Sequence, residues 1–218
     1  MDRDLFLARV ARAVLTGQIP DAAPFAAQVP ELESIDPQTL FRNRAMSVST
    51  VVHGPVSRHS VPRVIVGIAS GHDASNFLAW DDLPAPGVSS ALAAAGLVKV
   101  DAFVPPDEER SAHLQGYQRL DLGVTGADLG LAESGSIVLF HGPGRPRMAS
   151  LIPEVHVALL ETQRIERSLA HWAEDDPRSP HESANLVVIT GPSRTGDIEM
   201  ALSLGVHGPR HLHVVLVA

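Results

Sequence analysis

The sequence predicts an α/β fold in three layers, a Rossmann-like sheet with helices on its two faces. Two observations carry this. Short apolar runs alternate with segments of helical periodicity along most of the chain. Most of those runs are apolar at every position rather than at every second one, the pattern of parallel or mixed strands buried on both sides. With 218 residues, 44 % hydrophobic and 19 % charged, the chain is large enough to bury a core without staples.

Taken in order, "MDRDLFLARVARAVLTG" places Leu5, Ala8, Ala11 and Leu15 on one helical stripe, with Phe6 and Val10 beside them and Gly17 as the stop. This predicts an N-terminal helix packed on the body or on a partner. Residues 18–62 are rich in Pro, Ala and Ser and predict a loosely structured connection with a short helix at Pro37–Met46. The expected division is therefore 1–62, helix and connection, and 63–218, the α/β domain. "RVIVGIA" reads as a buried strand closed by Ser70-Gly71, and "GVSSALAAAGL" as a helix with a Ser N-cap and Gly96 at its end. "LVKVDAFV" is a strand stopped by Pro105-Pro106. "DEERSAHLQGYQRL" is a helix with acidic residues in its first turn, favourable for the helix dipole. "LGVT" is a strand, "GADLGLAES" a turn with one helical turn, and "SIVLF" and "EVHVALLE" are strands. "TQRIERSLAHWAE" is a helix capped by Thr162, "NLVVIT" a strand, "SRTGDIEMALSLG" a loop that becomes a helix, and "HLHVVLVA" the final strand.

Composition excludes several chemistries. With no cysteine, these residues offer no disulfide, no thiolate zinc site, no Cys nucleophile and no Cys-ligated iron–sulfur cluster. A formal net charge of −8 gives no global basic field for nucleic acid or anionic membrane. No window approaches the ~18 apolar residues of a spanning helix, and the first residues lack the cationic and apolar regions of a secretory signal. A cytoplasmic location is expected.

Three stretches carry candidate chemistry. In "GVTGADLGLAESGSIVLF", Gly126 and Gly130 permit backbone geometries closed to other residues and Gly135 lets a chain or ligand approach closely, with Asp128 and Glu133 set between apolar strands. Glu133 and Asp128 are candidate catalytic groups, Glu133 as acid, base, nucleophile or acceptor. The alternative is that Asp128 caps a short helix and Glu133 pairs with an Arg. In "ITGPSRTGDIEM", a strand entering Gly191, Ser193, Arg194 and Thr195 ahead of a helix makes an anion cradle, though not a Walker A, since no Lys follows the glycine. A capping box on Ser193 or Thr195 is compatible with it. Arg145 and Arg147, after a Gly-Pro-Gly turn, are placed to clamp a carboxylate or phosphate, or else are solvated loop residues. His156 alternates with Val155 and Val157 and reads as a satisfied core residue. His207, His211 and His213 cluster near the end, but no carboxylate has ligand spacing beside them, and no metal is expected. His-Gly-Pro at His53, His141 and His207 is turn punctuation. No GxGxxG joins a strand to a helix, so that kind of dinucleotide site is not expected.

Taken together, "GVTGADLGLAESGSIVL", "SLIPEVHVALL", "ITGPSRTGDIEM" and "GVHGPRHLHVVLV" resemble the LUD-domain family of lactate-utilisation proteins, in its short C-type branch. The resemblance covers Leu120 to Ala218 well and the preceding segment more loosely, and Ser134 stands where the family string has Thr. It implies a fold similar to the ribose-phosphate isomerase and CoA-transferase group. It also implies a part in oxidising L-lactate to pyruvate beside partner proteins that carry the iron–sulfur clusters, this chain binding no cofactor itself. Gly126-Ala127-Asp128 resembles a step of the ribose-phosphate isomerases over three residues only. The alternative expectation is an independent enzyme or binding module for a small phosphorylated or carboxylated metabolite.

Overall fold

Six parallel strands form the main sheet, in the order β1 (Val51–Val56), β12 (His211–Val217), β7 (Val155–Glu161), β4 (Leu122–Ala127), β2 (Asn76–Ala79) and β3 (Val98–Lys99). The structure is a computed structural model and describes residues 3–16, 35–102, 117, 120–176, 185–196, 202–204 and 207–218. The strands alternate between two cores, as the pleat requires. Leu122, Val124, Val155, Val157, Leu159, Val215 and Val217 pack on α3 (Val61–Gly71) and α4 (Val88–Ala94). Ala158, Leu160, Leu212, Val214 and Leu216 face the other way. Each fully buried Leu or Phe of these layers contributes about 1.5–3 kcal/mol.

On that second face lie α2 (Pro37–Ser47), through Phe41 and Ala45, and the single turn α5 (Met148–Leu151), through Ala149. Beside them stands a second sheet of β8 (Ile165–Glu166), β5 (Leu129–Leu131), β6 (Ser136–His141) and β9 (Asn185–Ile189), which contributes Ile137 and Leu139. The α/β architecture is as expected, but much of this third layer is sheet. Gly123 explains how α5 comes so near the main sheet: a Cβ there would stand 1.8 Å from the Ala149 carbonyl oxygen.

The expected connection supplies two elements of the body. In α2, Pro37 opens the helix and the Asp36 carboxylate accepts from Thr39 N at 2.9 Å. Following it, β1 pairs with β12. The N-terminal helix is present as α1 (Arg3–Thr16) and leaves Leu5, Phe6 and Leu7 exposed.

Several local expectations are corrected. "RVIVGIA" is helix α3, not strand. Pro62 starts it, and Val61, Ile65, Ile68 and Ala69 fall on one buried stripe. Gly87, at φ 79°, takes the N-cap of α4 rather than a Ser. "LVKVDAFV" pairs only at Val98–Lys99, and residues 103–104 lie outside the described residues. "GADLGLAES" holds strand β5 in place of a helical turn. The stretch from Thr162 splits into a 3₁₀ turn, β8 and α6 (Leu169–Asp175), whose cap is Ser168. Arg194–Gly196 is strand β10, paired with β11 (Leu202–Leu204), where a helix start was expected. The helix expected over 107–120 lies mostly outside the described residues. No helix among the described residues is long and apolar enough to cross a membrane.

Candidate functional site

Strands of a parallel sheet end together, and the space beyond their carboxyl ends is where such folds place ligands. Here β2, β4 and β7 end at Ala79, Ala127 and Glu161, around a cleft of about 340 Å³ lined by Trp80, Asp82, Asp128, Arg145, Glu161 and Arg164, among others. The loop after β6 turns back into it. Arg145 Nε donates to Asp82 Oδ2 at 2.7 Å and Arg145 Nη1 to Asp128 Oδ1 at 2.8 Å. Its guanidinium carbon stands 5.1 Å over the Trp80 ring. The hydrogen bond to Asp82, followed by that to Asp128, holds the Arg145 guanidinium above its ordinary range. Trp80 is fixed in turn by donation from its Nε1 to the Pro146 carbonyl at 3.2 Å.

Asp128 is anchored on both oxygens, because Oδ2 accepts from Phe140 N at 2.7 Å. Arg58 pairs with Glu161 at the rim. Arg164 also lines the cleft and makes no ion pair among the described residues. Three arginines and three carboxylates therefore line one small space. Gly126 keeps that space open, where a Cβ would lie 3.6 Å from Pro84 and 3.8 Å from the Trp80 ring. A second cleft of about 540 Å³, lined by Asp81, Lys99, Asp101 and Gly144, lies along the same loop.

The structure brings Asp128 and Arg145 together and leaves the other candidates elsewhere. Glu133 is at the turn between β5 and β6. Its Oε1 accepts from Leu169 N at 3.1 Å, at the start of α6, and it lines neither cleft. Arg147 is exposed at the start of α5 and lines neither cleft.

Gly191, at φ 74°, packs on the Val48 carbonyl, and Ser193 N donates to Pro209 O at 2.8 Å. Arg194 donates to Ser49 Oγ. Of Thr195 the structure describes the backbone, in β10. This loop sits at the amino end of β12, not at the carboxyl ends of the sheet. Gly191, Ser193 and Arg194 line a groove with His207 and His156, and Arg194 lines a continuation of it with Arg210 and His211. No carboxylate lines that groove among the described residues. The glycine-rich run comes beside the loop where Ser136 Oγ lies 2.7 Å from both Ser134 Oγ and Thr190 Oγ1, the residue before Gly191. It does not enclose one pocket with it.

His156 is buried and lies 2.9 Å from Thr125 Oγ1 through Nε2, the satisfied core histidine the sequence suggested. Burial, helped by His141, pushes its pKa down to about 3. Sequence reasoning missed Trp80, Asp82, Arg58, Glu161 and Arg164. The available signal was "AWDDLP", an aromatic and an acidic pair directly after an apolar run.

With this geometry in place, the comparisons are specific. Residues 39–217 match the LUD domain. The chain is similar to Lactate utilization protein C of Halalkalibacterium halodurans, 31 % identical over 170 residues, which is 73 % of this chain and 71 % of the relative. It is similar to the protein of the same name from Macrococcus caseolyticus, 35 % identical over 113 residues, 50 % of this chain and 49 % of the relative. It is also similar to an uncharacterized Neisseria meningitidis protein, 34 % identical over 102 residues, 46 % of this chain and 44 % of the relative. Against these last two the chain spans about half of the relative's length. The crystal structure of a DUF162 family protein from Deinococcus radiodurans superposes with a TM-score of 0.62 at 23 % identity, covering 84 % of this chain and 96 % of that one, a likeness of fold. The chain belongs to the LUD domain family.

Proposed function

We propose that this protein is a component of a lactate-utilisation system and supports oxidation of L-lactate to pyruvate together with iron–sulfur partner proteins. The observation that carries the reading is the similarity to relatives named Lactate utilization protein C, extending over 73 % of the chain in one case. Two further features support it. Oxidising lactate releases two electrons, and these residues contain no cysteine, so a Cys-ligated cluster that takes those electrons belongs to a partner. The cleft at the strand ends suits a small carboxylate. Arg164 supplies a charge without an ion pair among the described residues, and Arg145 is held rigid by Asp82, Asp128 and Trp80. On this reading the protein lies in the cytoplasm. The test is growth on L-lactate of a bacterial strain lacking its own C-type protein. The wild-type chain restores growth, and a folded Arg145→Ala variant does not.

The groove around Gly191, Ser193 and Arg194 favours a second reading, a binding module for a small phosphorylated or carboxylated metabolite. Its specific support is the lining of Arg194, His207 and His211, with Arg210 beside them paired to Glu154. Phosphate then raises the melting temperature of the wild type, and Arg194→Ala blunts the rise. Equal stabilisation of both proteins removes Arg194 as a contact.

A further inference from the structure

Four histidines meet on the α3 face of the main sheet, at the edge formed by β1 and β12 and away from both clefts. His213 is 7 % exposed and makes two ring contacts. Its Nδ1 lies 2.9 Å from His53 Nε2, and its Nε2 lies 3.0 Å from His72 Nε2. His53 belongs to β1, and His72 is the C-cap of α3. The His211 ring lies against that of His72, with centroids 4.6 Å apart. Among the described residues no group of three His, Asp or Glu side chains is placed to hold a metal ion. The two contacts have hydrogen-bond length.

We propose that His53, His213 and His72 form a binding site for one proton, tying β1, β12 and the end of α3 together. Each nitrogen–nitrogen contact holds one hydrogen, donated from one side and accepted on the other. The two contacts take two hydrogens, and the outer nitrogens, Nδ1 of His53 and Nδ1 of His72, take at most one each. Three neutral rings carry three hydrogens and satisfy both contacts. One added proton fills the remaining outer position and still satisfies both. A second added proton puts hydrogens on both nitrogens of one contact and breaks it.

The surroundings choose where the charge rests. Burial opposes it most at His213, which is held down to about 4, with His53, His72 and His211 adding to that. At His53 burial and the Arg42 guanidinium both oppose it. Arg42 reaches that edge from α2 by donating to the Val52 and Gly54 carbonyls. At His72 burial and His211 oppose it, but Glu154 and Asp73 favour it. The proton therefore rests on His72. His72 Nε2 then donates to His213 Nε2, and His213 Nδ1 donates to His53 Nε2, so occupancy at one end sets the tautomers along the chain. Without the added proton both directions of donation are available.

The experiment is ¹⁵N imidazole correlation spectroscopy of the full chain from about pH 8 to about pH 4.5, the range in which histidines titrate. One proton is expected to enter the three rings together, with His72 titrating and the nitrogens of His213 and His53 shifting at the same midpoint. In His213→Leu the relay is cut, so His53 and His72 titrate independently and uptake doubles to two. If that variant does not fold, His53→Gln serves: His72 and His213 still titrate as a pair. Independent midpoints for the three wild-type rings overturn the proposal. So does uptake of two protons by about pH 5 with both contacts intact. Stoichiometric Zn²⁺ binding that shifts all three rings at neutral pH overturns it in favour of a metal site.

Discussion

Arg145 Nη1 stands 2.8 Å from Asp128 Oδ1, and that contact closes a loop of the chain across the carboxyl end of β4. Asp128 follows β4 directly, and Arg145 follows β6. The intervening hairpin makes Asp128 part of its own ladder, since Asp128 N donates to Val138 O at 2.9 Å and Phe140 N donates to Asp128 Oδ2. The same carboxylate thus orders a strand pairing and aims an arginine into the cleft.

Asp128→Asn keeps the shape and removes the charge. It is expected to cost roughly 1–3 kcal/mol of stability, because Arg145 loses one of its two carboxylate partners in a partly buried position. The protein should remain folded by circular dichroism and lose growth complementation on lactate. Full complementation by a folded Asp128→Asn protein removes Asp128 from the site.

Glu133 invites a different outcome. Its carboxylate accepts from the first backbone N–H of α6, and Gln retains an acceptor there. Glu133→Gln should change stability by less than about 0.5 kcal/mol, whereas Glu133→Ala should cost about 1 kcal/mol, the usual loss of a helix-end acceptor. Both are measured by urea unfolding. Glu133→Gln should also complement growth, and a folded variant that fails would return Glu133 to the catalytic candidates.

Two glycines of β4 separate packing from permissiveness. Ala at Gly123 would drive its Cβ into the Ala149 carbonyl, so Gly123→Ala should cost about 3 kcal/mol or more. Ala at Gly126 meets Pro84 and Trp80 at ordinary contact distances, so Gly126→Ala should stay within about 1 kcal/mol of wild type. Thermal melts of the pair decide this, and equal losses would contradict it.

The buried histidines give stability a defined pH dependence. His156 and His213 are held at about 3 and about 4, below the ordinary 6.5, chiefly by burial. A histidine depressed in the folded state contributes stability that is complete above its unfolded pKa and is lost as pH falls toward the folded value. Unfolding free energy should therefore decline from about pH 6.5 downward, by roughly 2 kcal/mol at pH 5 for His156 alone. His156→Gln, which keeps a partner for Thr125 Oγ1, should flatten that decline. A wild-type curve level between pH 6.5 and pH 5 contradicts the assignment.

How far the sequence could be read depended on the range of each signal. The largely apolar strands β7 and β12, interrupted by His156 and by His211 and His213, are legible because burial on both faces leaves a local signature. Helix α3 resembles a strand in sequence because a short β-branched run looks alike in either state. Pro62 and the spacing of Val61, Ile65, Ile68 and Ala69 were the discriminating facts. The loop at Arg194 is ambiguous in sequence because a capping box and a strand entry share Ser, Arg and Thr, and pairing with Leu202–Leu204 decides between them. In the candidate site, Asp128 and Arg145 could be picked out singly. Their meeting, and the arrival of Trp80, Asp82 and Glu161 from other strand ends, depends on strand order, which no local pattern encodes. The same holds for His53, His72 and His213, which come from three distant parts of the chain.

The most direct measurement is L-lactate oxidation by the purified protein with an artificial electron acceptor, first alone and then with the proposed iron–sulfur partners. Turnover is expected only in the presence of the partners, and Arg145→Ala should abolish it there while leaving their clusters spectroscopically intact. Turnover by this protein alone, with no added cofactor, would contradict the account, because the two electrons leaving lactate would then need a redox centre within these residues.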